Sequence, residues 1–288
     1  MTKLLVLAAL LAALAWAATA TASWITAQKA PRALGQGTTP RAATTAEVNR
    51  ALFRAQLRTV LAAAFAIVMC ASLFRVSAGL SGQAGLSGQA GPTAILLAGL
   101  STSGGLLLFS ALPAKKLPAR QLAPYGQFNA RAVVIPAGIF LVFAVFVAAT
   151  STAAPEYLPW SKGAPSLVAA LALAGSAILA GRRLLTTMSL PDPRMGELDQ
   201  RWRELSLRNL ATFTSGTLLC SLGGTALAAR LGMPSATLAA APVWATVSAA
   251  AGAALLAVGV VLLGIAVKGA LELRTHVRRA LAGSNRIN

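Results

Sequence analysis

Chemistry needs ionisable or nucleophilic side chains, and the long apolar stretches of this sequence hold almost none. No Asp, Glu, His or Lys lies well inside any of them, and the single histidine, His276, sits near the C-terminus. That excludes paired histidines for haem, a His-Glu-x-x-His metal site and the paired aspartates of an intramembrane protease. A retinal Schiff base is excluded as well, because Lys268 falls at the end of the last apolar stretch, and no carboxylate chain exists to relay protons. No catalytic residue, metal or cofactor is expected, and the chain reads as a non-enzyme.

What the apolar stretches do contain is small and weakly polar. Ser101, Thr102, Ser103, Gly104 and Gly105 fall at the middle of one, and Thr212, Thr214, Ser215, Gly216, Thr217, Ser221, Gly223 and Gly224 crowd another. Ser248 and Gly252 stand at small-xxx-small spacing in the last, followed by Gly259 and Gly264. Such residues let helix backbones approach closely while hydroxyls bond across the contact. The functional alternative to packing is a polar cavity for a neutral solute, lined by Ser101, Thr102, Ser103, Thr214 and Ser215. Cys70 and Cys220 are the two cysteines, each in an apolar stretch and each 12 residues after an arginine. They fit neither a disulfide framework nor a zinc pattern and read as small hydrophobes.

The elements that would carry these residues are membrane spans. Hydrophobic residues make up 56% of the 288 and charged residues 11%, against about 25% charged in an ordinary soluble domain. Mean hydropathy is +0.69. A spanning helix needs about 20 apolar residues, and seven segments qualify: 4–25, 59–80, 93–112, 132–150, 166–185, 210–229 and 241–267. The expected fold is an all-α integral membrane bundle of about seven helices, a single transmembrane domain covering 1–288. Arg75, near one end of the second span, can snorkel to the headgroups. Pro136 is expected to kink the fourth.

Loop charge sets the orientation. The chain carries 25 Lys and Arg against 7 Asp and Glu, a net charge of +18. If successive spans alternate, 21 of the basic residues fall on one side and only Lys3, Arg75, Lys162 and Arg230 on the other. The side rich in Lys and Arg is the cytoplasmic one, so the N-terminus is expected outside and the basic C-terminus inside. The first segment also resembles a secretory signal, with Lys3, an apolar run and Ala18-Thr19-Ala20 before a cleavage point. Cleavage there would put the basic loop 29–58 outside, against every other loop, so a retained helix fits better. An Ala-, Leu- and Arg-rich vocabulary suggests a bacterial plasma membrane.

Two cytoplasmic helical extensions are expected, 44–58 and 193–208. Thr44 and Glu47 have capping-box spacing, after which Arg50, Arg54 and Arg58 share one helix face and lead into the second span. Asp192 and Pro193 suit the start of the other extension, where Leu198, Trp202 and Leu205 form an apolar stripe among charges. That stripe either lies at the membrane interface as an extension of the sixth span, or offers a partner a docking face. A tandem hexapeptide, Ala78–Gln83 then Ala84–Gln89, reads as a duplication in a flexible loop over 75–92. Its glycine spacing is not that of a dinucleotide site. At an offset of 150, Glu47 matches Glu197, Leu57-Arg58 matches Leu207-Arg208, and Cys70 matches Cys220. This hints at parallel repeats in a 3+1+3 plan, one that a family of sugar transporters uses. Their paired Pro-Gln signature is absent, which leaves an analogy of architecture alone.

These features suggest a non-catalytic membrane component of a larger bacterial system. Its basic cytoplasmic face, net +15, would serve a protein, lipid or DNA partner. Membrane lipids and another protein are the favoured partners, and nucleic acid is not. The alternatives are a small transporter for a neutral or amphipathic solute and a membrane protein of plasmid DNA transfer.

Overall fold

The computed structural model describes residues 45–84, 90–111, 115–116, 126–188, 196–231 and 243–284. Among them the chain is helical apart from one short loop and one minimal strand pairing. The helices are α1 (Thr45–Ala84), α2 (Ala90–Ala111), α3 (Gly126–Ala153), α4 (Trp160–Thr186), α5 (Gly196–Leu231) and α6 (Val243–Ser284). Each contains a window long and apolar enough to cross a membrane, which makes six such helices among the described residues. This is the architecture of a multi-pass membrane protein. The first expected segment, 4–25, lies outside the described residues, as do Thr44, Asp192 and Pro193.

Three helices are much longer than a bilayer requires. At 1.5 Å per residue, the 40 residues of α1, 36 of α5 and 42 of α6 reach about 60, 54 and 63 Å, against a hydrocarbon core of about 30 Å. From Thr45 and from Gly196 onward, the extensions expected at 44–58 and 193–208 are therefore continuous with the spans of α1 and α5, and α6 continues through the tail that holds His276. Extending an existing helix adds one hydrogen bond per residue ordered, with no new nucleation step. The same economy corrects the loop expected at 75–92. Helix α1 runs to Ala84 and takes in the first hexapeptide copy. Helix α4 likewise starts at Trp160, earlier than the expected 166, and carries Pro165 inside it. Pro136 is inside α3.

The two glycine-bearing helices α5 and α6 make the most extensive contact in the bundle. Gly216 and Gly223 are a heptad apart on α5, Gly252 and Gly259 a heptad apart on α6, and the pairs meet in antiparallel register. A Cβ on Gly216 would stand 3.0 Å from Gly259 O, and one on Gly252 would stand 2.9 Å from Gly223 O. Glycine is required here because backbone meets backbone. Cys220 lies in this seam, its Sγ 3.8 Å from Leu256 O, and both cysteines are free thiols. Elsewhere α2 approaches α4 at Gly99 and α1 at Gly105.

The core is built from Phe143 and Val147 of α3, Leu173 of α4, and Leu218 and Leu222 of α5, each 5% exposed or less. The short α3–α4 loop closes it by inserting Tyr157, whose hydroxyl donates to Ala226 O at 3.0 Å and lies 2.9 Å from Ser248 Oγ. Outward-facing residues are also apolar. Leu141, Val142 and Val145 of α3 and Val260, Val261 and Ile265 of α6 are each more than half exposed. A soluble surface does not carry an apolar belt of this extent, whereas a lipid-facing one does.

Candidate binding cavity at the basic end

One cavity of about 330 Å³ draws its walls from five helices. Helices α1 and α5 contribute their N-terminal parts, at Arg58 and Trp202, while α2, α4 and α6 contribute their C-terminal parts, at Phe109, Arg183 and Leu271. These five helix ends therefore lie together. The strand pairing sits at the same end, with Lys115 opposite Met188 and Lys116 opposite Thr187, tying the exit of α2 to that of α4. At the far end, Tyr157 joins the α3–α4 loop to the end of α5 and the start of α6. Successive helices thus alternate in direction.

This alternation sorts the charges. Arg58, Lys115, Lys116, Arg182, Arg183, Arg201, Arg203, Arg208 and Lys268 belong to the cavity end, and Arg75, Lys162 and Arg230 to the other. The basic end also holds a buried ion pair within one turn of α5, Arg203 Nε to Asp199 Oδ2 at 2.9 Å, with both side chains 4% exposed or less. Arg201 and Arg208, on the same helix, are exposed.

Two arginines define the cavity's chemistry. Arg58 and Arg183 are half-buried and line the same space. Among the described residues no acidic residue lines the cavity and neither arginine has a carboxylate partner. Neutral polar groups, including Gln56, Thr187, Ser206 and Asn209, stand with them. Along α1 and α5 the lining then turns apolar toward the middle of the bundle, through Ala62 and Ala66 on one and Leu210 and Phe213 on the other. Such a space can hold an anionic group at its mouth and hydrocarbon behind it.

The residues singled out from sequence are distributed differently from expectation. Of the four described side chains among Leu198, Trp202, Leu205, Arg50, Arg54 and Arg58, Trp202 and Arg58 reach the cavity and Leu198 and Leu205 do not. Leu198 and Trp202 are 5% and 3% exposed. Helix α5 turns Leu198 and Trp202 of its apolar stripe inward and presents Arg201 and Arg208 outward. Leu205 is half-buried. The backbone at Arg50 and Arg54 is helical, and their side chains lie outside the described residues.

The five hydroxyl residues expected to line a polar cavity do not form one together. Only Thr102 touches the cavity. Ser101 donates to Leu97 O at 2.7 Å, Ser103 to Gly99 O at 2.7 Å and Thr214 to Leu210 O at 2.8 Å, each a bond back to its own helix. With Ser215, these three are buried at helix contacts. A hydroxyl that bonds back to the preceding turn can be buried in apolar packing without leaving a polar group unmatched. In the sequence Arg58 shares one helix face, a candidate partner face, with Arg50 and Arg54, and Arg183 has no role beyond loop charge. The signal that could have joined them is that both end or begin an apolar span at the same predicted side.

Set against protein-family models, curated proteins and solved structures, the chain matches none of them.

Proposed function

We propose that the chain is a non-catalytic, multi-pass component of a bacterial plasma membrane whose cytoplasmic face binds anionic partners, membrane lipid first among them. The observation that carries this reading is the arginine-lined cavity at the end where the basic residues collect. The basic end is assigned to the cytoplasm by the Lys and Arg bias of its loops. Counting segment 4–25, the chain crosses about seven times, with its N-terminus outside. The 3+1+3 plan draws support from α1 and α5, each of which enters the bundle from a charged helical extension at the same end. Juxtamembrane basic residues are attracted to anionic lipid by about 1 kcal/mol each, which makes lipid the default partner that protein or DNA must outcompete.

Reporter fusions and lipid binding test this together. Fusions after Arg58, Lys116, Arg208 and Asn288 should report cytoplasm, and fusions within 155–163 the exterior. The purified chain in neutral detergent should associate with vesicles containing phosphatidylglycerol and not with pure phosphatidylcholine. An exterior signal at Asn288, or indifference to lipid charge, overturns the reading.

A second reading, a small transporter for an amphipathic solute, is favoured by the same cavity, since binding sites between helices are where such proteins hold substrate. Flux into vesicles of an amphipathic anion, but not of a matched neutral solute, would favour it. DNA transfer would instead need duplex binding through exposed residues such as Arg201, Arg208 and Lys268, weakening steeply between about 50 and 200 mM salt.

A further inference from the structure

Where the cavity opens identifies what enters it. Its walls on α1 and α6 meet only slightly. The two lips of this gap are apolar and exposed, Val60 and Ala63 on one side and Val267 and Leu271 on the other. All four belong to windows apolar enough to lie in a membrane. Apolar lips within such windows suit entry from lipid better than from water.

The arginines themselves require an occupant of opposite sign. Guanidinium groups at membrane depth are kept where they pair with something or face a wet cavity. Here two line one cavity, with no acidic residue among the described residues of its lining. A guanidinium presents its donors as a planar fork that matches phosphate oxygens two at a time. Basic pockets between spanning helices on the cytoplasmic side take lipid headgroups by this chemistry. The volume of about 330 Å³ is at the lower end of the range of roughly 300–1,000 Å³ for ligand pockets. It suits a headgroup with the upper part of one chain, the remaining hydrocarbon lying in the gap between α1 and α6.

We propose that this cavity binds one anionic phospholipid, its phosphate between Arg58 and Arg183 and an acyl chain entering past Ala63 toward Ala66 and Phe213. The assignment rests on the lipid-binding reading above and goes beyond it by placing a single, specific site within a generally basic face. Gln56, Ser206 and Asn209 supply neutral hydrogen-bonding groups for the oxygens of the glycerol region.

The test uses the full-length chain in neutral detergent and native mass spectrometry, with phosphatidylglycerol and phosphatidylcholine of matched chains. The wild type should retain one phosphatidylglycerol in preference to phosphatidylcholine. The double variant Arg58→Gln, Arg183→Gln should weaken that retention about tenfold or more, the scale of losing charge-assisted hydrogen bonds. The control Arg201→Gln, Arg208→Gln removes the same charge from exposed positions, where pairing with a lipid phosphate is screened by water, and should stay within about twofold. Ala63→Trp keeps every charge while filling the entrance, and it should also weaken retention. Should the first double variant fail to fold, Arg58→Lys with Arg183→Lys keeps the charge, loses the fork, and should retain lipid less well than wild type.

Equal losses in the cavity and control variants would overturn the site while leaving general lipid attraction standing. No preference for phosphatidylglycerol in the wild type would sink both. Displacement of the lipid by millimolar inorganic phosphate, with Ala63→Trp behaving as wild type, would show a phosphate site without a lipid and overturn the proposal.

Discussion

Replacing Gly223 by alanine adds one methyl group to the tightest seam in the bundle. A Cβ there would run into Gly252 O and stand 2.7 Å from Leu256 N, about 0.7 Å inside ordinary contact. Both obstacles are backbone, so no side chain can swing aside and α5 and α6 must separate. A gap of 0.5–1 Å forfeits roughly a quarter to a half of the dispersion well for each atom pair along the seam. Overpacking of this kind costs about 1–3 kcal/mol, and alanine returns up to about 1 kcal/mol through its better helix propensity. The net expectation is a loss of about 1–2 kcal/mol. Gly264 is the matched control, since it lies on α6, the other helix of the seam, and a Cβ there meets nothing within 4 Å. Gly264→Ala should be neutral or slightly stabilising. Thermal unfolding of both variants in one detergent reads the difference, at roughly 2–4 °C per kcal/mol for a chain of this size class. If Gly223→Ala and Gly264→Ala melt together, the glycine seam does not hold α5 against α6 as argued.

The other expectations concern single buried contacts. Tyr157→Phe keeps the ring and removes the hydroxyl that reaches Ala226 O and Ser248; it should lower stability by about 1 kcal/mol, and an unchanged melting temperature would show that the loop is held by apolar contact alone. Asp199→Ala should destabilise by about 3 kcal/mol, because it removes the carboxylate 2.9 Å from the buried Arg203 guanidinium. The double variant Asp199→Ala, Arg203→Ala should then cost less than the two single losses added. A double-mutant cycle measures this, and strict additivity would mean that the two charges do not act as a pair.

Much of this architecture is legible in the amino-acid sequence because lipid imposes a simple rule. Apolar runs of sufficient length must be helices, since no water is present to satisfy an open backbone. Six of the seven expected segments accordingly recur within the described helices. Small-residue runs on the last two spans likewise announced close packing, since only residues such as Gly216, Gly223, Gly252 and Gly259 permit it. Helix ends were less legible. The rule fixes a minimum length and no maximum, so the run of α1 past 80 and of α6 past 267 had no sequence signal strong enough to place it. Which face of a helix points inward was decided by tertiary structure alone. Leu198 and Trp202 look the same in sequence whether they meet a partner, a bilayer or their own bundle. Arg58 and Arg183 are 125 residues apart, and nothing local pairs them. Only the alternating run of the helices brings both to one end, where α1, α4 and α5 close around a shared space. Hydropathy is a property of each segment, whereas a cavity is a property of which segments become neighbours.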